Sequence, residues 1–99
     1  MQRRQKQIHP SDLRLRAIGA VVRELRERAG HSQERVSADC GFDRTYISRV
    51  ERGIINPTVS RLWRIADVLE VSLTELAGQM ERWVKERERQ FRRSESKRG

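Results

Sequence analysis

Apolar residues recur at three- and four-residue intervals in separate stretches of the chain, and each stretch is bounded by residues that start or stop helices. Ile18, Val22, Leu25 and Ala29 form the first stripe, with Ser11 or Asp12 as its cap and Gly30 as its stop. Ser32 then caps a short second helix, from Gln33 to about Asp39, that buries Val36 and Cys40. Gly41 at the following corner supplies a positive φ, which a side chain would oppose by roughly 1 kcal/mol or more. Asp43 caps a third helix whose inward pair is Ile47 and Val50, and Gly53 ends it. Pro57 forbids simple continuation, and Thr58 caps a fourth helix with Val59, Leu62, Ile65, Ala66 and Leu69 as its stripe. Ser72-Leu73-Thr74-Glu75 is a capping box, with Val71 and Leu76 as its hydrophobic staple. Past Gly78, Met80, Trp83, Val84, Arg87 and Phe91 share one side of a helix that continues from Leu73 to about Arg92, and Glu81–Lys85 and Glu88–Arg92 are favourably ordered pairs.

The chain of 99 residues fits one domain, and 35% hydrophobic residues with 5% aromatic suffice for one small, helical core. Lys and Arg number 22 against 14 Asp and Glu, a net charge of +8 that points towards nucleic acid, an anionic membrane or an acidic partner. Where the charge lies narrows this. Residues 17–80 hold nine basic and nine acidic side chains, whereas residues 1–16 hold five against one and residues 81–99 eight against four, net +4 at each end. The excess thus belongs to the ends, so net charge alone does not argue that the centre binds nucleic acid, and the arrangement of charge on one helix must do that.

That helix is the third. At about 100° per residue, Thr45, Ser48, Arg49 and Arg52 lie opposite Ile47 and Val50, with Arg44 beside them in the first turn. Two short helices around a glycine corner, the second carrying Arg, Thr and Ser outward, make a helix-turn-helix whose second helix enters the major groove. Arg44 and Arg49 are the candidate base readers, since an arginine donates two hydrogen bonds to O6 and N7 of guanine and discriminates by about 1–3 kcal/mol. Thr45 offers a methyl or a hydroxyl, and Ser48 is a lesser candidate. Tyr46 flanks the inward side, where packing competes with phosphate contact.

The run SQERVSADCGFDRTYISRVERGIINPTVSRLWRIADVLEVSLTEL resembles the Cro and phage-repressor type helix-turn-helix domain, the XRE-like group of bacterial and phage regulators, over residues 14–77. DRTYISRVERG followed by NPT is especially typical, and DRTYIS in a short chain is also similar to controller proteins of restriction-modification systems. The resemblance implies an all-α, compact five-helix bundle of the lambda-repressor-like DNA-binding type, here with an extended basic C-terminal helix. It also implies a symmetric homodimer that binds a palindromic operator in double-stranded DNA and regulates transcription. Arg44, Thr45 and Arg49 match base-reading positions; Gln33 matches a phosphate contact at the start of the second helix, and Arg52 and Asn56 fall where others contact the backbone. Glu51 matches a mostly buried acid that pairs with a first-helix arginine, here Arg26. Cys40 stands where alanine is usual and His31 where an apolar residue is common. The organisation that follows is a flexible basic arm at 1–11, a helix-turn-helix domain at 12–78, a helical extension at 79–93 and a disordered tail at 94–99.

The remaining residues exclude more than they add. A single cysteine in an apolar pattern forms no intramolecular disulfide and fits a reducing cytoplasm. His9 and His31 lack ligand spacing with Cys40, so neither metal nor other cofactor is expected, and no small-molecule ligand. The apolar run Ala17 to Val22 is too short to span a bilayer, and MQRRQKQ has no apolar segment behind it to make a secretory signal. No constellation of His, Cys and acid suggests a catalytic residue, so the chain is not expected to be an enzyme. Trp63, Met80, Trp83, Val84 and Phe91 are the dimer candidates, with packing of the last four on their own domain as the competing role. A rival reading makes the chain an interaction module, such as an antitoxin or an adaptor, that uses its C-terminal helix and binds DNA secondarily.

Overall fold

A computed structural model describes residues 10–98, which form five helices and no strands. α1 spans Pro10–Ala29, α2 Gln33–Cys40, α3 Tyr46–Glu51, α4 Val59–Val68 and α5 Leu73–Arg98. Most of the arm expected at 1–11 lies outside the described residues. Its end does not: Pro10 opens α1, where a proline loses nothing because the first amide has no helical acceptor.

α1 packs against both α3 and α5, and the α2–α3 pair closes on α4. The core is built from Val21, Val22 and Leu25 of α1, Val36 and Cys40 of α2, Tyr46, Ile47 and Val50 of α3, Leu62, Ile65 and Ala66 of α4, and Leu69 and Leu76 beyond them. Because α1 serves two neighbours, its buried face is wider than the Ile18–Ala29 stripe: Ala17 and Val21 join it, and Ala29 at the helix end is exposed. In the first turn of α4, Val59 also departs from the expected stripe and is 61% exposed.

Three helix starts are capped by a side-chain oxygen. Ser32 Oγ accepts from the Arg35 amide (3.0 Å), Thr58 Oγ1 from Arg61 (3.2 Å) and Ser72 Oγ from Glu75 (2.9 Å). Such a cap stabilises a helix by about 1 kcal/mol. α3 begins later than expected, at Tyr46, so Arg44 and Thr45 stand in a turn ahead of it. Asp43 supports that turn from two residues upstream, accepting from the Thr45 amide at 3.1 Å and from its hydroxyl.

α5 differs most from expectation. It runs unbroken through Gly78 and on to Arg98, so residues 94–98 are helical rather than a tail. No proline interrupts residues 79–98, and once nucleated a helix extends at little cost per residue. Its first part belongs to the bundle: Leu76 is buried, and Met80 and Trp83 pack against the core. Those two, named above as dimer candidates, thus take part in the packing of their own domain, the competing role. Val84 is half-buried, while Phe91 and Trp63 are 65% and 55% exposed. Among the described residues, no helix is long and apolar enough to cross a membrane, and no group of His, Cys, Asp and Glu is placed to hold a metal ion.

Candidate nucleic-acid interface

The corner between α2 and α3 is fixed by backbone geometry and one buried hydroxyl. Gly41 adopts φ 76°, and its amide and that of Phe42 reach back to the carbonyls of Ala38 and Ser37, both at 2.9 Å. Ser37 is fully buried, and its Oγ accepts from the Ile47 amide at 3.1 Å. This bond satisfies a first-turn N–H of α3 that has no partner within its own helix, and it ties α3 to α2. The apolar spacing of the second helix does not single out Ser37. A serine in the middle of a short helix just before a turn is the available signal, since such hydroxyls often serve backbone groups elsewhere.

α3 is held down by Ile47 and Val50, at 0% and 1% exposure, and by Tyr46 at 6%. Tyr46 thus packs in the core, one of the two roles that the sequence leaves open to it. Its ring meets Phe42 at 4.6 Å between centroids, and the Arg61 guanidinium lies 4.9 Å above it. Arg61 also covers Phe42, and Arg64 both stacks on Phe42 and donates from Nη1 to the Cys40 carbonyl at 3.1 Å. Neither arginine stood out in the sequence, yet together they place two cations of α4 beside the corner. Cys40 itself is buried, and desolvation pushes its thiol up to about 11, with Arg64 opposing and Asp39 adding to the shift. A thiol so raised is protonated at neutral pH and a poor nucleophile.

The outward side of the unit carries Arg44 and Thr45, both exposed, then Ser48 and Arg49, half-exposed, then Arg52, exposed. Asp43 sits among them. Its carboxyl is held below the ordinary range, first by the Thr45 hydroxyl and amide and then by Arg49, whose Nη2 is 3.5 Å away. At neutral pH Asp43 is therefore ionised and orients both Thr45 and Arg49. Arg52 returns its Nε to the Ser48 carbonyl at 3.3 Å, which lays its stem along the helix end. Asn56 is exposed in the loop two residues before the Thr58 cap of α4.

Behind this surface, Arg26 grips Glu51 with two parallel bonds, Nε to Oε2 at 2.6 Å and Nη2 to Oε1 at 2.9 Å. The Glu51 side chain is 3% exposed and that of Arg26 is 11%. The bond from Glu51, ahead of desolvation, raises the pKa of the Arg26 guanidinium. Arg26 Nη1 donates to the His31 carbonyl at 2.8 Å, and Gln33 Nε2 donates to Glu51 Oε1 at 2.8 Å. One cluster thus joins α1, the start of α2 and the end of α3. It fixes the Gln33 amide, which still has a second N–H.

A model of the family described as helix-turn-helix matches residues 22–76, more than half of the chain and the whole of this unit. The chain belongs to the helix-turn-helix family. The transcriptional regulator SlrR of Bacillus subtilis (strain 168) is 40% identical over 60 residues, which are 60% of this chain and 40% of SlrR. Less than half of that relative's length is therefore represented. Control protein C.MunI of Mycoplasma sp is 34% identical over 73 residues, covering 73% of this chain and 97% of C.MunI. Among solved structures, the restriction-modification controller protein C.Esp1396I, a tetramer in complex with its natural 35 base-pair operator, superposes with a TM-score of 0.66 at 31% identity. That superposition covers 72% of this chain and 93% of the controller chain. The relatives bear the names of regulators and control proteins rather than of enzymes.

Proposed function

We propose that the protein is a sequence-specific transcriptional regulator that binds double-stranded DNA as a homodimer on a palindromic operator, in the cytoplasm of a bacterium. The observation that carries this reading is α3 and its ends: three buried side chains lock the helix down, while Ser48 and Arg49 on it, Arg44 and Thr45 in the turn ahead of it and Arg52 just after it lie at the surface. Arg44 and Arg49 are assigned to guanine edges, Thr45 to a thymine methyl or a phosphate, and Ser48 to a minor base contact. Gln33, Arg52 and Asn56 are assigned to phosphates, which set register without reading sequence. For Gln33 the donor is the amide N–H that Glu51 does not take. Arg26 and Glu51 stay behind the interface as a structural pair. The operator complex of C.Esp1396I, at 31% identity, supports both the DNA partner and an oligomeric form.

Residues 12–78 are the DNA-binding unit in this reading, and the stretch from 79 onward is an accessory helix. Val59 and Trp63, one turn apart on α4 and both more than half exposed, are assigned to the dimer surface together with Phe91. Selection of bound sequences from a random DNA pool tests the function. It should enrich a palindrome with half-sites about one helical turn apart. A pool that shows no enrichment would overturn sequence-specific binding and favour the interaction-module reading.

A further inference from the structure

α1, the end of α3 and α5 line an open concavity of about 460 Å³. Its acids are Glu24, Glu27 and Glu51, and each already has a cation: Arg28 on Glu24 at 2.6 Å, Arg23 on Glu27 at 3.0 Å, and Arg26 on Glu51 at 2.6 Å. Three further guanidiniums line the same space, Arg16 from α1, Arg52 from the end of α3 and Arg87 from α5. Among the described residues no carboxylate lies within 4.0 Å of any of these three.

Local packing holds all three. The stem of Arg16 lies against Gly53, where a Cβ would come 3.5 Å from its Cγ, and Gly53 directly follows Arg52. The Arg52 Nε is anchored on the Ser48 carbonyl, and the Arg87 guanidinium sits 4.4 Å over the Trp83 ring. Three surplus cations converging on one concavity raise its potential, and guanidinium forks match the oxygens of a phosphate.

We propose that Arg16, Arg52 and Arg87 form a phosphate-binding site, filled either by the DNA backbone flanking the operator or by a free phosphate compound. The site deepens the DNA-binding reading where the phosphate belongs to DNA, and stands apart from it where the phosphate is free.

The test uses the full chain, Arg87→Gln and, as an equal change of charge outside the concavity, Arg92→Gln. Inorganic pyrophosphate is titrated at low salt, following the Trp83 indole and the Arg Nε–H resonances. In a second arm the salt dependence of duplex binding is measured for all three proteins. Saturable shifts at Trp83, Arg16 and Arg52 in the wild type and Arg92→Gln, with at least tenfold weaker binding in Arg87→Gln, support the site. If Arg87→Gln also lowers the slope of log K against log salt by about 0.9 more than Arg92→Gln does, the phosphate is that of DNA. If the slopes are equal while pyrophosphate still binds, the ligand is a free phosphate compound. No saturable shift together with equal slopes would overturn the proposal. The pyrophosphate arm does not depend on operator binding, so failure of the site is distinguishable from failure of the DNA-binding reading.

Discussion

Replacing Glu51 by Gln should lower the melting temperature by on the order of 10–20 °C, the largest effect expected of any isosteric change in this chain. The carboxylate is 3% exposed and accepts from both Arg26 and Gln33. An amide of the same shape keeps one acceptor and presents donors where the guanidinium also donates. Arg26, itself 11% exposed, is left as a shielded cation whose nearest remaining carboxylate is Glu27, 3.9 Å away and more than half exposed. Breaking one side of such a pair costs about 3–5 kcal/mol, and the residual exposure of Arg26 places this case near the lower figure. The double change Arg26→Met with Glu51→Leu should recover much of the loss, because it removes both charges from the interior together. Thermal unfolding of the two variants beside the wild type checks both statements. A shift of less than about 3 °C for Glu51→Gln would show that the pair is effectively solvated.

Gly19→Ala should destabilise the fold by about 1–3 kcal/mol although alanine is the better helix former by about 1 kcal/mol. A Cβ at position 19 would stand 2.6 Å from the carbonyl oxygens of both Val50 and Glu51. Those atoms are backbone, so no rotamer change relieves the contact; α1 and the end of α3 must move apart. The same displacement shifts Arg49 and Arg52 relative to Gln33, and DNA affinity should fall with stability. Urea unfolding gives the first quantity, and amide shifts concentrated at Val50 to Gly53 give the second. A neutral or stabilised variant would mean that the close approach is not a constraint.

These two residues show where sequence reading stops. Features with local causes were legible: the Ser32, Thr58 and Ser72 caps, the Gly41 corner, the inward Ile47 and Val50. Each follows from the chain's own backbone and spacing within about one turn. Gly19 looked like one member of an apolar run, because its constraint comes from a carbonyl more than thirty positions away in sequence. Ser37 was not legible as the acceptor for Ile47, which depends on how α3 docks. Arg61 and Arg64 became part of the corner only once α4 had folded over Phe42 and Tyr46. Tyr46 was ambiguous because it borders both sides of α3, and the aromatic contact with Phe42 decides for the core. The extent of α5 was under-read for a different reason: high polarity after residue 93 suggested a tail, whereas helix propensity without a proline break carries the backbone to Arg98.

The resulting picture is a rigid frame that presents one short helix, and its central claim is that this helix reads DNA sequence. Arg49 tests it most directly, being half-exposed and oriented by Asp43, with its guanidinium 5.9 Å over the Tyr46 ring. The measurement is the affinity of wild type and Arg49→Ala, at one fixed salt concentration, for the selected operator and for every single-base variant of one half-site. Arg49→Ala should lose about 1–3 kcal/mol per base contact on the operator, and lose nothing further on the duplex already changed at the contacted guanine. Equal losses on every duplex would contradict the claim and leave Arg49 as a phosphate contact.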